Sequence, residues 1–121
     1  MSAQRKAGLI VRSGPFRGRS SRDQLDVALA AASMECDLEL FFSGEGILQL
    51  VTERSPGSAG LPAGIRGWKA LPGLCEVNAF STDQTMSDHV PGGVALLLDV
   101  KTVTGAEAAR RLSGCDTVLV I

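Results

Sequence analysis

Apolar residues gather in five short runs that have the length of β-strands. Four of the runs are almost continuously apolar, which is typical of strands buried on both faces of a sheet, whereas the third alternates between apolar and polar positions. The runs are Ala7–Val11, Leu38–Phe42, Leu74–Phe80, Val94–Val100 and Thr117–Ile121. The pattern therefore predicts five strands.

Helical patterns separate these runs. Apolar residues from Leu25 to Ala32 recur at the spacing of one helix face, after a start at Ser20 that resembles a capping box. Thr104 begins a second helix in the same way, and Gly114 stands where a left-handed C-cap is expected. Shorter helices are predicted at Gly46–Val51, Ile65–Leu71 and Ser81–Asp88.

Strands that alternate with helices indicate an α/β protein. We expect one domain over residues 1–121, a flavodoxin-like fold whose five-stranded, mostly parallel sheet carries helices on both faces. The segment Thr52–Gly67, with four Gly and two Pro, is predicted to be a long loop.

Ligands bind parallel α/β sheets at the carboxyl ends of the strands. Leu38–Leu50 is a candidate for such a site, because a buried strand stops there at Ser43 and an apolar turn follows at once.

Composition narrows the function classes. The chain is 45% hydrophobic and 21% charged, as is ordinary for a globular protein, but only 4% aromatic, which argues against base stacking on single-stranded nucleic acid. Residues 1–22 hold six basic side chains and no acid, whereas the remainder holds six basic and thirteen acidic ones. This polarity fits either orientation toward a charged partner or a solvated terminus.

The candidate chemistry is sparse. Cys36, Cys75 and Cys115 form no CxxC pair, which argues against a zinc site or a redox dithiol, and Cys36 and Cys115 precede strands at positions that do not favour a low pKa. Cys75, near the start of the third predicted strand, is the candidate thiol, although a small hydrophobic role is the preferred interpretation. His89 is predicted to lie in a surface loop.

Two further positions have residues that could belong to a site. The loop Ser13–Ser21 has serines and arginines that could hold a phosphate but lacks the spacing of a nucleotide motif, so a structured connection is preferred. Asp99, placed near the carboxyl end of the fourth predicted strand, could lie at the mouth of a site or cap a turn. No cofactor or metal is expected. The absence of a signal-peptide pattern and of an apolar run near 18 residues predicts a cytoplasmic protein without a membrane span.

The order of several motifs resembles the TusC/DsrF subunits of bacterial sulfur-relay complexes, in the DsrE-like superfamily. The matching segments run over nearly the whole chain: Pro15–Gly18 after the first strand, Arg22–Ala30, Phe41–Phe42 leading into Gly46–Leu50, Leu71–Leu74, and Arg111–Leu119.

The resemblance implies a role in a heterohexamer, a dimer of trimers, with TusB/DsrH-like and TusD/DsrE-like subunits and no direct tRNA binding. In this family the persulfide cysteine lies in the TusD/DsrE-type subunit, at the carboxyl end of its third strand. The matching residues here, Ala79–Thr82, include no Cys. The expected role is a non-catalytic subunit that supports sulfur transfer for 2-thiouridine formation at tRNA wobble positions. The alternatives are a DsrF-type subunit of a DsrEFH complex in sulfur oxidation, a sulfurtransferase using Cys75, and a nucleotide- or flavin-binding module.

Overall fold

A computed structural model describes residues 5–12, 20–34, 36–51, 65–90, 92 and 96–121, without the side chains of residues 20–23 and 65–67. Five strands alternate with helical segments along these residues. In chain order they are β1 (Lys6–Val11), α1 (Ser20–Ser33), β2 (Asp37–Phe42), the 3₁₀ helices η1 (Gly44–Leu50) and η2 (Ile65–Gly73), β3 (Val77–Thr82), α2 (Asp83–His89), β4 (Val100–Val103), α3 (Gly105–Ser113) and β5 (Thr117–Val120).

The five strands form one parallel sheet in the order β4-β3-β2-β1-β5. The predicted α/β architecture is therefore confirmed. Because every strand runs in the same direction, the sheet has one edge where all strands begin and one where all strands end. We call these the amino edge and the carboxyl edge.

The two faces of the sheet differ in chemistry. One face carries Leu9, Leu40 and Phe42, all fully buried, and packs with Leu25 and Ala28 of α1 in the hydrophobic core. The other face is covered by α3, and we call it the α3 face. Residue pairs in register, which share a face in parallel strands, place Gly8, Glu39 and Asn78 there in one row.

Two predicted strands are shifted in the structure. β3 begins at Val77 rather than Leu74 and continues to Thr82. The backbone N–H groups of Leu74 and Cys75 both donate to the carbonyl of Leu71, so the end of η2 holds these residues outside the sheet. The prediction that Cys75 lies on the third strand was therefore wrong, because it lies in the bend before that strand.

The fourth strand was also misplaced. β4 is Val100–Val103, not Val94–Val100. The apolar residues before it pair with the end of η1 instead: Leu96 forms an antiparallel bridge with Val51, and the N–H of Leu97 donates to the carbonyl of Leu50 at 2.8 Å. Asp99 consequently precedes β4 at the amino edge, and its predicted position at a carboxyl end was wrong.

The helix ends agree with the sequence only in part, since α2 begins at Asp83 rather than at Ser81. Thr104 caps α3 by accepting a hydrogen bond from the N–H of Glu107 at 3.1 Å, as predicted. α2 has a similar cap, in which the Thr82 side chain accepts from the N–H of Thr85. Gly114 adopts φ −81°, a right-handed conformation, and its N–H bonds the carbonyl of Arg111 three residues earlier, which continues the helix as a 3₁₀ turn. The predicted left-handed C-cap was therefore wrong.

Candidate functional site

The turn after β2 is built around two glycines. Gly44 has φ +54°, a left-handed conformation that favours glycine and that lets the chain turn directly into η1. At Gly46 a Cβ atom would lie 2.0 Å from the carbonyl oxygen of Val11, so only glycine allows η1 to approach the end of β1 this closely. The turn is therefore defined by packing requirements.

A buried amide connects this turn to two other helices. Gln49 is 1% exposed, and its Oε1 accepts a hydrogen bond from the indole Nε1 of Trp68 at 3.0 Å. Its Nε2 donates to Oε1 of Gln24 on α1. Trp68 is fully buried and meets Phe42 edge to face, with ring centroids 5.3 Å apart. Gln49 thus ties η1 to η2 and α1, and the segment Leu38–Leu50 forms a structural junction.

Hydroxyl groups occupy the carboxyl end of β3, where the resemblance implies a cysteine in the persulfide-carrying subunits. Ser81 is fully buried and donates to the carbonyl of Phe42 at 2.6 Å. Thr82 caps α2 and also donates to Oγ1 of Thr85, which in turn accepts from the N–H of Gly44. These hydroxyls hold β3, α2 and η1 together. They leave no thiol at the position that would accept sulfur.

An open cleft of about 600 Å³ lies beside this position. It runs between the carboxyl ends of β3 and β4 and is lined by the start of α2, the start of α3 and the charged side chains of Lys101 and Glu107. Glu107 is bound by Arg110 and Arg111, and the hydrogen bond from Arg110, more than the charges of the two arginines, holds the pKa of Glu107 below its usual value. The cleft therefore carries charged groups but has no cysteine among its described lining residues.

All three cysteines lie at the amino edge, opposite this cleft. Cys36 directly precedes β2, while Cys75 and Cys115 lie two residues before β3 and β5. Each is a free thiol and is half-buried. Burial, with the charges of Asp37 and Cys36, raises the pKa of Cys75. Burial raises the pKa of Cys115 as well, with Glu39 adding to the effect. Raised pKa values disfavour the thiolate, which is the reactive form.

The α3 face holds a charged cluster that the sequence interpretation had not singled out. Glu39, in the middle of β2, is 6% exposed and accepts a hydrogen bond from Nδ2 of Asn78 at 2.7 Å. Arg111 of α3 forms an ion pair with Glu39 at 3.6 Å and lies 5.5 Å from the centroid of the Phe80 ring. The available signal was a charged residue in an otherwise apolar strand, which requires a buried partner.

The other candidates have no site around them in the described residues. His89 is the last residue of α2 and is half-buried, so its assignment to a loop was wrong. The loop Ser13–Ser21 lies outside the described residues up to Arg19, and α1 begins at Ser20. Within the described ranges no group of three His, Cys, Asp or Glu side chains could hold a metal ion. None of the helices described has the length and apolar character of a membrane span.

Comparisons with known proteins agree with this fold and with the resemblance. The model of the DsrE/DsrF-like family matches residues 5–121. The chain therefore belongs to the DsrE/DsrF-like family.

Its curated relatives carry the name TusC. The chain is 29% identical to the TusC homolog of Aliivibrio fischeri over 115 residues, which cover 95% of this chain and 98% of the relative. It is 24% identical to TusC of Buchnera aphidicola over 81% of this chain and 83% of that protein. Among solved structures, the ychN protein from E. coli aligns with a TM-score of 0.77 and 19% identity over 98% of this chain and 100% of that one, which shows a shared fold.

Proposed function

We propose that this protein is a non-catalytic, TusC-type subunit of a cytoplasmic sulfur-relay complex. It would assemble with TusB/DsrH-like and TusD/DsrE-like subunits into a heterohexamer and support persulfide transfer for 2-thiouridine formation at tRNA wobble positions. The observation that carries the proposal is the occupied carboxyl end of β3. Ser81 and Thr82 stand there, and both hydroxyls are committed to structural hydrogen bonds.

The positions of the thiols support the non-catalytic role. A cysteine that carries persulfide sulfur needs an accessible thiol with a low pKa. Cys75 has a raised pKa and lies at the amino edge of the sheet, away from the carboxyl end of β3. The transferred sulfur atom would then never be bound to this chain. The chain would instead support the subunit that carries the persulfide.

The exposed strand β5 supports a place in an assembly. β5 is an edge strand, and Val118, Leu119 and Val120 are 41%, 45% and 54% exposed. Exposed apolar edge strands invite pairing with other chains, and natural proteins protect or cover them. A partner subunit packed on β5 would remove this apolar surface from water.

Co-expression tests assembly. The tagged chain is produced with the TusB-like and TusD-like proteins of the same organism, purified through its tag, and sized by gel filtration with light scattering. We expect a complex with two copies of each subunit. Elution of this chain alone, in the presence of both partners, would refute the proposal.

Cysteine variants then test whether the chain carries sulfur. In a strain that lacks this protein, 2-thiouridine in tRNA is measured by mass spectrometry after complementation with Cys75→Ser or with the chain as it is. We expect a loss of 2-thiouridine in the deletion strain and equal restoration by both forms. Failure of Cys75→Ser alone would instead favour a sulfurtransferase acting through Cys75, and unchanged 2-thiouridine in the deletion strain would favour the sulfur-oxidation branch.

A further inference from the structure

Two of the three thiols are brought together by the register of the sheet. β2 and β3 are neighbouring parallel strands, and their first paired residues are Leu38 and Val77. Cys36 and Cys75 each precede this pair by two positions, so both lie in the connections that lead into these neighbouring strands. Residues 39 positions apart in the sequence thus come to the same end of two adjacent strands.

The hydrogen bonds beside the thiols hold the two chain segments together. The N–H of Leu38 donates to the carbonyl of Glu76 at 2.9 Å, and the N–H of Glu76 donates to Oδ1 of Asp37 at 3.2 Å. Paired strands lie about 4.8 Å apart. A disulfide requires Cα atoms roughly 4.4–6.8 Å apart, so the separation of these strands suits one.

Each cysteine is also attached to the end of a preceding helix. The N–H of Cys36 donates to the carbonyl of Ala31 in α1, and that of Cys75 donates to the carbonyl of Leu71 in η2. The charge of Cys36 contributes to the raised pKa of Cys75, which agrees with their proximity. Both thiols are half-buried, so neither is fully enclosed by the protein.

We infer that Cys36 and Cys75 form a reversible intrachain disulfide in the folded protein, which makes the amino edge of the sheet a redox-modification site. The oxidant is a low-molecular-weight disulfide. One protein thiol loses its proton and attacks a sulfur of that disulfide, which releases one small thiolate and leaves a mixed disulfide. The second protein thiol loses its proton, attacks the protein sulfur and expels the second small thiolate. The two electrons lost by the protein sulfurs thus reduce the oxidant to two thiols.

Cys115 is the internal control. It lies before β5 and faces α3, since a Cβ atom on Gly8 would lie 3.1 Å from its Sγ. β1 and β2 separate β5 from β3 in the sheet. The inference therefore excludes Cys115 from the bond, and it does not depend on the proposed role in sulfur relay.

Peptide mapping tests the pairing on the full chain. The protein is treated with oxidised glutathione, the remaining thiols are alkylated, and the chain is digested with trypsin without reduction. Cleavage after Lys and Arg puts the three cysteines in separate peptides, residues 23–54, 70–101 and 112–121. We expect the first two peptides to be linked, an intact chain lighter by two hydrogen atoms, and an alkylated Cys115.

Variants and folding measurements complete the test. Cys36→Ser and Cys75→Ser should abolish the linked species, whereas Cys115→Ser should keep it. The oxidised chain should retain the emission of a buried Trp68 and melt higher than the reduced chain by about 10 °C, since the bond closes a loop of some 40 residues. A bond to Cys115, a dimer linked between chains, a stable glutathione adduct without closure, or loss of the buried Trp68 emission on closure would each overturn the inference. The map of the unaltered chain decides the matter even if a serine variant fails to fold.

Discussion

Replacing Gln49 by leucine should destabilise the protein strongly, although leucine is close in size to glutamine and more apolar. The change removes the acceptor for the Trp68 indole N–H and the donor to Gln24. Trp68 is fully buried and Gln24 is 3% exposed, so water cannot easily replace either bond. A buried polar group left unsatisfied costs about 1–3 kcal/mol. With two such groups, partly offset by the apolar gain, we expect a loss of about 3 kcal/mol.

Urea unfolding followed by tryptophan fluorescence measures this loss. Trp68 is the only tryptophan in the chain and belongs to the affected network, so its emission reports the relevant transition. With a urea dependence of about 1.5 kcal/mol/M for a domain of this size, the midpoint should fall by about 2 M. That is a large part of a stability that is typically about 5–15 kcal/mol.

A matched control separates burial from residue type. Gln84 lies on α2, is exposed and donates only to Asp88 in the described structure. Gln84→Leu makes the same chemical change at the surface and should shift the midpoint by less than about 0.3 M, because exposed substitutions usually change stability by at most 0.5 kcal/mol. Equal, small shifts for the two variants would show that the Gln49 network contributes nothing and would refute the reasoning.

Three further experiments test other parts of the structure. Gly46→Ala should prevent stable folding, because the new Cβ would lie 2.0 Å from a backbone oxygen, whereas Gly105→Ala, with open space around it, should fold normally; equal circular dichroism melts would contradict this. Thr104→Ala should cost about 1 kcal/mol in urea unfolding through loss of the α3 cap, and Thr104→Ser should restore it; no difference between the two would count against the cap. Iodoacetamide should label Cys75 more slowly in the native chain than in urea at neutral pH, because burial, with the charges of Asp37 and Cys36, raises its pKa and lowers the thiolate fraction. Faster labelling in the native chain would instead indicate an activated thiol.

Most of the fold could be predicted from the pattern of apolar residues. Continuous runs such as Leu38–Phe42 were assigned to strands because a strand that is buried on both faces is apolar at nearly every position. The run Val94–Val100 has the same character but was misplaced, since its residues from Leu96 to Leu98 are removed from water by contact with η1 and the core instead of by the sheet. A sequence shows which segments are buried, but it does not show which element of the structure covers them.

The candidate site was less accessible to sequence reasoning. The absence of a cysteine from Ala79–Thr82 could be predicted directly from the sequence, because it depends only on residue identity. The approach of Cys36 and Cys75 depends on the register of the strands that follow them, which no local spacing encodes. The ion pair between Glu39 and Arg111 likewise joins residues far apart in the chain, and only the packing of α3 on the sheet brings them together.

That ion pair gives α3 a mechanical role. The helix begins beside the carboxyl-edge cleft at Thr104 and leads to the amino edge at Cys115. Arg111 holds it to the middle of the sheet through a nearly buried carboxylate, and rotating or sliding the helix would leave that charge without its counterion. α3, which is about 14 Å long, is therefore fixed to the sheet near its C-terminal end. A partner that bound at its first turn would therefore meet a helix that cannot slide along the sheet without separating this ion pair.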